Sequence, residues 1–340
     1  MLRKVKLDDA IGLVLGHDVT KVIPGEFKGL AFRRGHVIAE EDIPELRSIG
    51  KEHVYVIELD EGEVHEEEAA LRIAQAVSGS GLELSRPKEG RINLKAKYTG
   101  MLRVNTEALR QINSIGEIVL AARHDHTYCQ AGVIVAGTKI VPLFIANEEL
   151  EKLEGICSSA GAVIDVIPLQ KKTIGLVITG NEISSGRTRD GFGDFIRSKA
   201  ANWGSTVGHQ IIVPDDEAAI AKAIHELKTR SSDVIIVCGG LSVDPDDVTV
   251  DGIKKSGANI ISYGAPVMPG VMFLLADLDG IPVLGAPSAV IYNPATILDL
   301  ILPRVLAGEK VSREDIIELG HGGLCLNCEK CSYPLCPFGK

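Results

Sequence analysis

Residues 173–190, TIGLVITGNEISSGRTRD, and 233–249, DVIIVCGGLSVDPDDVT, decide the fold. Each contains a short apolar run that stops abruptly at a glycine-bearing polar loop. The first run, 174–178, ends in Thr179, Gly180, Asn181 and Glu182; the second, 234–237, ends in Cys238, Gly239 and Gly240. Short β-branched runs between helical patterns read as buried parallel strands. In such sheets the loops at the strand C-terminal ends form the binding crevice. The chemistry is therefore expected on these two loops, close together in space.

The sequence around them supports alternating strands and helices. Phe192, Phe195, Ile196, Ala200 and Trp203 predict a helix over 190–203, closed by Gly204, with that stripe in the core. A strand is expected at 207–213, then Asp215 as N-cap of a helix over 216–229. A helix over 247–256, a strand at 282–284 and a last helix opened by Asn293 and Pro294 follow. The fold class is α/β with a mostly parallel sheet.

Outside this domain, residues 1–60 read as a mostly β module. Residues 61–168 read as an α+β insert, with strand-like VNTE, EIVLAA, GVIVAG and VIDVIPL and a helix over 147–160. Residues 169–308 are the α/β domain and 309–340 a Cys-rich tail. The chain has 340 residues, 45% hydrophobic and 24% charged, which is a multidomain globular composition. Its net charge of −10 argues against nucleic acid as the main partner. It does not argue against an anionic small ligand held by backbone N–H groups. No signal peptide and no membrane span are expected, and the expected setting is the cytoplasm.

On the first loop, Gly180 permits a sharp turn, while Asn181, Glu182, Ser184 and Ser185 offer polar groups. Arg187 and Arg189 could meet a phosphate, and Asp190 starts a helix, where an N-cap is its ordinary use. On the second loop, Gly239 and Gly240 allow backbone to approach a ligand closely. Asp244, Asp246 and Asp247 suit Mg²⁺, which takes one or two carboxylates plus substrate phosphates. They serve equally as a solvated acidic turn. Asp215 and Asp216 read as capping residues.

The tail carries Cys325, Cys328, Cys331 and Cys336 in the spacing C-x2-C-x2-C-x4-C, followed by Pro337. Four thiolates this close suit a tetrahedral zinc ion or an iron–sulfur cluster, and spacing alone does not choose between them. His321 could replace one thiolate. His124 and His126 lack an evident third ligand.

These motifs, in this order, resemble the molybdopterin-binding family of molybdenum cofactor biosynthesis, which includes molybdopterin adenylyltransferases and molybdotransferases. Thr179, Gly180, Asn181 and Glu182 match its TGDE-like loop, with Asn181 in place of Asp. Asp190 matches its helix-opening Asp, and Pro214, Asp215 and Asp216 its RDD-like strand end. Gly239, Gly240, Ser242, Asp247 and Thr249 match its GG-x-S-x-G-x-x-D-x-T loop, with Asp244 at its glycine position. Pro269 and Gly270 match a later Pro-Gly, with Met268 and Val271 where molybdotransferases carry lysines. A later Pro-Gly-Asn-Pro-like turn stands here as Pro287 to Val290. Residues 32–58 resemble the segment that precedes this domain in molybdotransferases, where the two nearly adjoin.

The resemblance implies a three-layer α/β/α sandwich, a homo-oligomer and a molybdopterin or adenylyl-molybdopterin ligand. It casts Asp190 and Asp247 as catalytic and Asp247 as a Mg²⁺ ligand. Thr179, Gly180, Asn181, Glu182, Gly239, Gly240, Ser242, Thr249, Pro269 and Gly270 would bind the pterin. The missing lysines predict weaker handling of phosphate and molybdate. A molybdotransferase-like enzyme is one reading. A non-catalytic pterin-binding or redox-sensing module, whose tail docks a molybdoenzyme or another cofactor-assembly protein, is a second. A nucleotide-processing hydrolase is a third.

Overall fold

Alternation along the central strands sets up three layers. Ile174, Leu176 and Ile178 of β1 (Thr173–Thr179) pack to one side, with Val234, Ile236 and Cys238 of β3 (Val234–Cys238). Val177, Ile235 and Val237 pack to the other. Successive strand side chains point to opposite faces, so uniformly apolar strands must be covered twice. Helices α1 (Phe192–Asn202) and α4 (Ile297–Leu306) cover the first face. Helices α2 (Glu217–Thr229) and α3 (Thr249–Lys255) cover the second.

The sheet also contains β2 (Thr206–Val213), β4 (Asn259–Tyr263), β5 (Leu274–Leu278) and β6 (Ile281–Ala286), in the order β2-β1-β3-β6-β5-β4. β2, β1, β3 and β6 pair in parallel, whereas β5 runs antiparallel to both β6 and β4. The result is the expected three-layer α/β/α arrangement with a mostly parallel sheet.

The computed structural model describes residues 2–23, 27–57, 62–88, 90–242, 244–245 and 247–340. Asp246 of the second loop, and position 58 at the end of the N-terminal resemblance, lie outside the described residues. Packing divides the chain into two units. The first comprises Met1–Lys97, Val104–Arg123 and Gly132–Asp165; the second comprises Tyr98–Arg103, His124–Ala131 and Val166–Lys340.

In the first unit, Leu2–Lys6 pairs antiparallel with His53–Ile57 over a core that includes Leu7, Leu15, Leu46 and Val56. A four-stranded sheet is formed by Leu82–Leu84, Ile92–Ala96, Ile134–Ile140 and Ile118–Ala122. The helix expected at 147–160 spans Asn147–Ala160.

Four local expectations need correction. VNTE is not a strand: Val104 ends one, and the Asn105 side chain accepts from Ala108 N at 3.0 Å to cap helix Thr106–Asn113. A local side-chain cap here wins over β propensity. Phe195 is 44% exposed, while Phe192, Ile196, Ala200 and Trp203 are buried, so the apolar stripe of α1 is narrower than the sequence suggests. Asp216, not Asp215, caps α2, accepting from Ala219 N at 2.8 Å. Pro294 does not open the last helix. Thr296 caps α4 in a reciprocal box with Asp299, after a short helix Ala289–Tyr292. No helix among the described residues is long and apolar enough to cross a membrane.

Candidate functional site

Strand register delivers the predicted loops to one edge. Thr179 pairs with Val213, Ile178 with Cys238, and Cys238 with Ala286. The loops that follow Thr179, Val213, Cys238 and Ala286 therefore leave the sheet side by side, at the position where α/β sheets bind ligands.

At the centre, Thr179, Gly239, Gly240 and Thr249 form one knot. The Thr249 hydroxyl donates to Gly239 O at 2.8 Å and lies 3.2 Å from the Thr179 hydroxyl. Both threonines are buried, at 2% and 0% exposure, so the turn is pinned from beneath. Gly239 and Gly240 have φ of +98° and +55°. A Cβ on Gly239 would collide with Thr179 O, and one on Gly240 would come within 2.6 Å of Thr249 Oγ1. Glycine is required here by both conformation and space. Both glycines are half-buried, so part of the turn remains open to solvent.

The rest of the second loop folds over a carboxylate. Asp247 Oδ2 accepts from Ser242 N at 2.8 Å, and Asp247 N donates to Asp244 O at 2.9 Å. The Tyr263 hydroxyl donates to Leu241 O at 2.9 Å and braces the same loop. Burial, with the charge of Asp247 behind it, pushes the Tyr263 phenol up. Asp247 is half-buried and Ser242 exposed, so both border the open edge.

The first loop is clasped to the β2 end. Asn181 N donates to Asp215 Oδ2 at 2.9 Å, and Asp215 N donates to Asn181 Oδ1 at 3.3 Å. Gly180, at φ +152°, makes the turn and donates to Val213 O at 3.2 Å. Asn181 and Glu182 are exposed on the short helix Asn181–Ser184. Arg187 bonds the Ser185 hydroxyl at 2.9 Å, while the Arg189 side chain is 91% exposed.

Asp190 is engaged by the fold. Its Oδ1 accepts from Phe192 N at 2.7 Å and Gly193 N at 3.1 Å, and its Oδ2 from Gln210 Nε2 at 2.9 Å. Arg197 in turn donates to Gln210. Burial, reinforced by the charge of Asp190, pushes the Cys238 thiol far up, so Cys238 is an inert core thiol.

Pro269 and Gly270 stand differently from the rest. Pro269 O accepts from Ile297 N at 3.3 Å, and a Cβ on Gly270 would strike Ile297. What the structure shows for this glycine is close packing against the start of α4.

The four tail cysteines are brought together elsewhere. Cys325, Cys328, Cys331 and Cys336 line one cavity of about 290 Å³ with Asn293, Pro294 and Phe338. His321 is exposed and is not among the lining residues. Among the described residues, no three His, Cys, Asp or Glu side chains stand as ligands around a single ion. His126 is drawn into an ion-pair network, 3.2 Å from both Asp125 and Glu309.

Sequence reasoning missed Gln210, Tyr263 and the linking role of Asp215. Gln210 and Tyr263 sit within strands and carry no local signal. Asp215 had one, because two acids before a helix leave one spare once the other is the cap.

Comparison with known proteins bears on the same stretch. Residues 175–318 match the family model described as a probable molybdopterin binding domain. The α/β domain is a divergent molybdopterin-binding domain. Residues 4–58 match a domain of unknown function. A CinA-like protein of Citrifermentans bemidjiense is 36% identical over 95 residues, 28% of this chain and 23% of the relative. A CinA-like protein of Mycolicibacterium vanbaalenii is 28% identical over 134 residues, 37% of this chain and 32% of the relative. The chain thus spans about a quarter to a third of these relatives. Among solved structures, the tungsten cofactor synthesizing protein MoaB of Pyrococcus furiosus is similar, at TM-score 0.33 and 17% identity. That likeness covers 40% of this chain and 92% of MoaB. The molybdopterin biosynthesis moea protein of Pyrococcus horikosii is similar over 91% of this chain and 75% of its own, at TM-score 0.34 and 13% identity.

Proposed function

We propose that the molybdopterin-binding domain takes molybdopterin, or its adenylylated form, on the shelf above Gly239 and Gly240, in assembly of the molybdenum cofactor. The observation that carries this reading is the strand register, which sets the Thr179, Gly239 and Asp247 loops at one edge. The two glycines offer backbone to the ligand. Thr179 and Thr249 hold that backbone in place from below. Asn181, Glu182 and Ser242 border the ligand with polar groups, while Gly180, Pro269 and Gly270 shape the chain around it.

Asp247 is the carboxylate placed to meet Mg²⁺ or to orient a phosphate. A cation there would offset charge on a phosphate, and the protein would position and dehydrate the ligand. Asp190 acts in this reading through the first loop, which it fixes to α1 and Gln210. The four tail cysteines hold zinc or an iron–sulfur cluster. The protein works as a homo-oligomer, checked by light scattering, in which a monomer at micromolar concentration would oppose the reading.

In this reading the bound pterin then undergoes molybdotransferase-like transfer. A second reading, a pterin-binding module without transfer chemistry, is favoured by the occupied carboxylate of Asp190 and by Met268 and Val271 in place of lysines. Anaerobic titration of the full chain with molybdopterin tests the common part. Asp247→Ala should weaken binding about 10- to 100-fold, the range for losing a charged hydrogen-bonding group. Unchanged affinity would remove Asp247 from the site. Binding of adenylyl-molybdopterin without turnover would select the module. Release of a nucleotide monophosphate from a dinucleotide would select a hydrolase.

A further inference from the structure

The last residues form no regular element after the helix Arg313–Glu318, yet their path is fixed. Met268 N donates to Gly323 O, and Cys325 N donates to Met268 O, both at 2.8 Å. The Tyr333 hydroxyl donates to Asp299 O at 2.8 Å, and Phe338 is buried in the domain core at 2% exposure. Gly339 N donates to Gly322 O at 2.9 Å, which closes residues 322–339 into a loop. A chain without a ladder of its own is costly to order unless something inside it adds free energy.

The loop surrounds the cavity of about 290 Å³, and all four of its cysteines line the wall. None is in a disulfide; Cys328 and Cys331 are exposed, Cys325 and Cys336 partly so. The occupants differ in how closely they gather their thiolates. Zinc bonds four thiolates at roughly 2.3 Å, which draws the sulfurs to within about 4 Å of one another. A polynuclear core separates its thiolates further and fills more of a space of about 290 Å³.

Sequence spacing agrees. Three cysteines at intervals of three match the run that grips one cluster in bacterial cluster sites, with Pro after the last. There, the fourth cysteine of the run serves a second cluster in two-cluster proteins. Here Cys336, one residue further along than in that run, lines the same cavity as the other three.

We propose that the tail holds one [4Fe–4S] cluster with Cys325, Cys328, Cys331 and Cys336 as its four thiolate ligands. The thiols lose their protons on binding. One of these ligands, Cys325, donates its backbone N–H to Met268 O, immediately before Pro269 and Gly270. The cluster does not depend on the pterin reading, because none of its ligands belongs to the shelf.

The test is anaerobic reconstitution of the full chain with equal amounts of ferrous and ferric iron plus sulfide, the valence mix of an oxidised [4Fe–4S] core. About four iron and four acid-labile sulfide per chain should be retained, with a broad visible absorption that bleaches on reduction. The double variant Cys328→Ser, Cys331→Ser should lose at least nine-tenths of the iron. Those two side chains are exposed, so its circular dichroism should match the parent. Cys157→Ala, in the Asn147–Ala160 helix, should keep the full complement. One zinc per chain without sulfide, about two iron and two sulfide, or no retained metal would each overturn the assignment. So would full iron retention by the double variant.

Discussion

The sheet edge and the cysteine tail belong to one unit and use their polar groups in opposite ways. At the edge, much of the recognisable motif is turned inward. Thr249 bonds the Gly239 carbonyl, Asp190 bonds the start of α1, Asp216 caps α2, and Asp215 clasps Asn181. In the tail no regular element consumes the cysteines, and all four face one cavity. A motif shared with a family can thus be mostly scaffold, with the ligand left to backbone and a few carboxylates. The cysteines, by contrast, are left lining a cavity.

The largest expected effect comes from the support common to both regions. Lys199 Nζ lies 2.7 and 2.8 Å from the oxygens of Asp299 and 3.0 Å from Pro294 O, with side chains only 10% and 6% exposed. Lys199→Ala leaves a buried carboxylate unpaired and should cost about 3–5 kcal/mol in a denaturant titration. Pterin binding and iron retention should fall together, since Ile297 N holds Pro269 O and Asp299 O holds Tyr333. If iron survives while pterin binding is lost, the two regions do not share this support.

The next substitutions separate them. Gly239→Ala forces a side chain onto φ +98° and against Thr179 O. It should cost about 1–3 kcal/mol and abolish pterin binding, while iron uptake is unaffected. Asp190→Ala removes the acceptor for Phe192 N and Gly193 N, one residue before the Gly191 N-cap of α1, at about 1 kcal/mol, and should lower pterin affinity less than Asp247→Ala does. The reverse order of affinities would mean that Asp190 leaves its N–H partners to meet the ligand.

The α/β domain was legible because each of its signals is local. Apolar runs gave strands, and glycine pairs gave the turns that follow them. What stayed hidden depends on register. Gln210 reaches Asp190, and Tyr263 braces Leu241, across strands whose neighbours no local pattern names. The α4 start was misplaced because Asn293–Pro294 is a good opening signal, but the stronger Thr296–Asp299 box lies three residues on. In the first unit, short strands with few turn signatures left the four-stranded sheet unread.

The smallest effect at neutral pH tests a third would-be ligand cluster, His124 to His126. There the fold has absorbed the motif, as at the sheet edge. Burial would raise the Glu309 carboxyl, but contacts with His126 and Arg304 outweigh it and hold Glu309 at about 2, against 4.5 for a free group. Arg304 also bonds Asp315, whose carboxyl is likewise held low: burial opposes that shift, but Ser312 and Arg304 prevail. A carboxylate depressed in the folded state contributes stability above its unfolded value, and that contribution is lost as pH falls through the folded one. The contribution of this pair to the melting temperature should therefore be full and constant between pH 7 and about 5, then fall from about 4.5 toward 2. Glu309→Gln should flatten part of that acid slope while leaving pterin binding and iron content unchanged. If instead the variant binds less iron, the histidines and the tail are coupled, and the division between folding-consumed and ligand-ready motifs fails at this point.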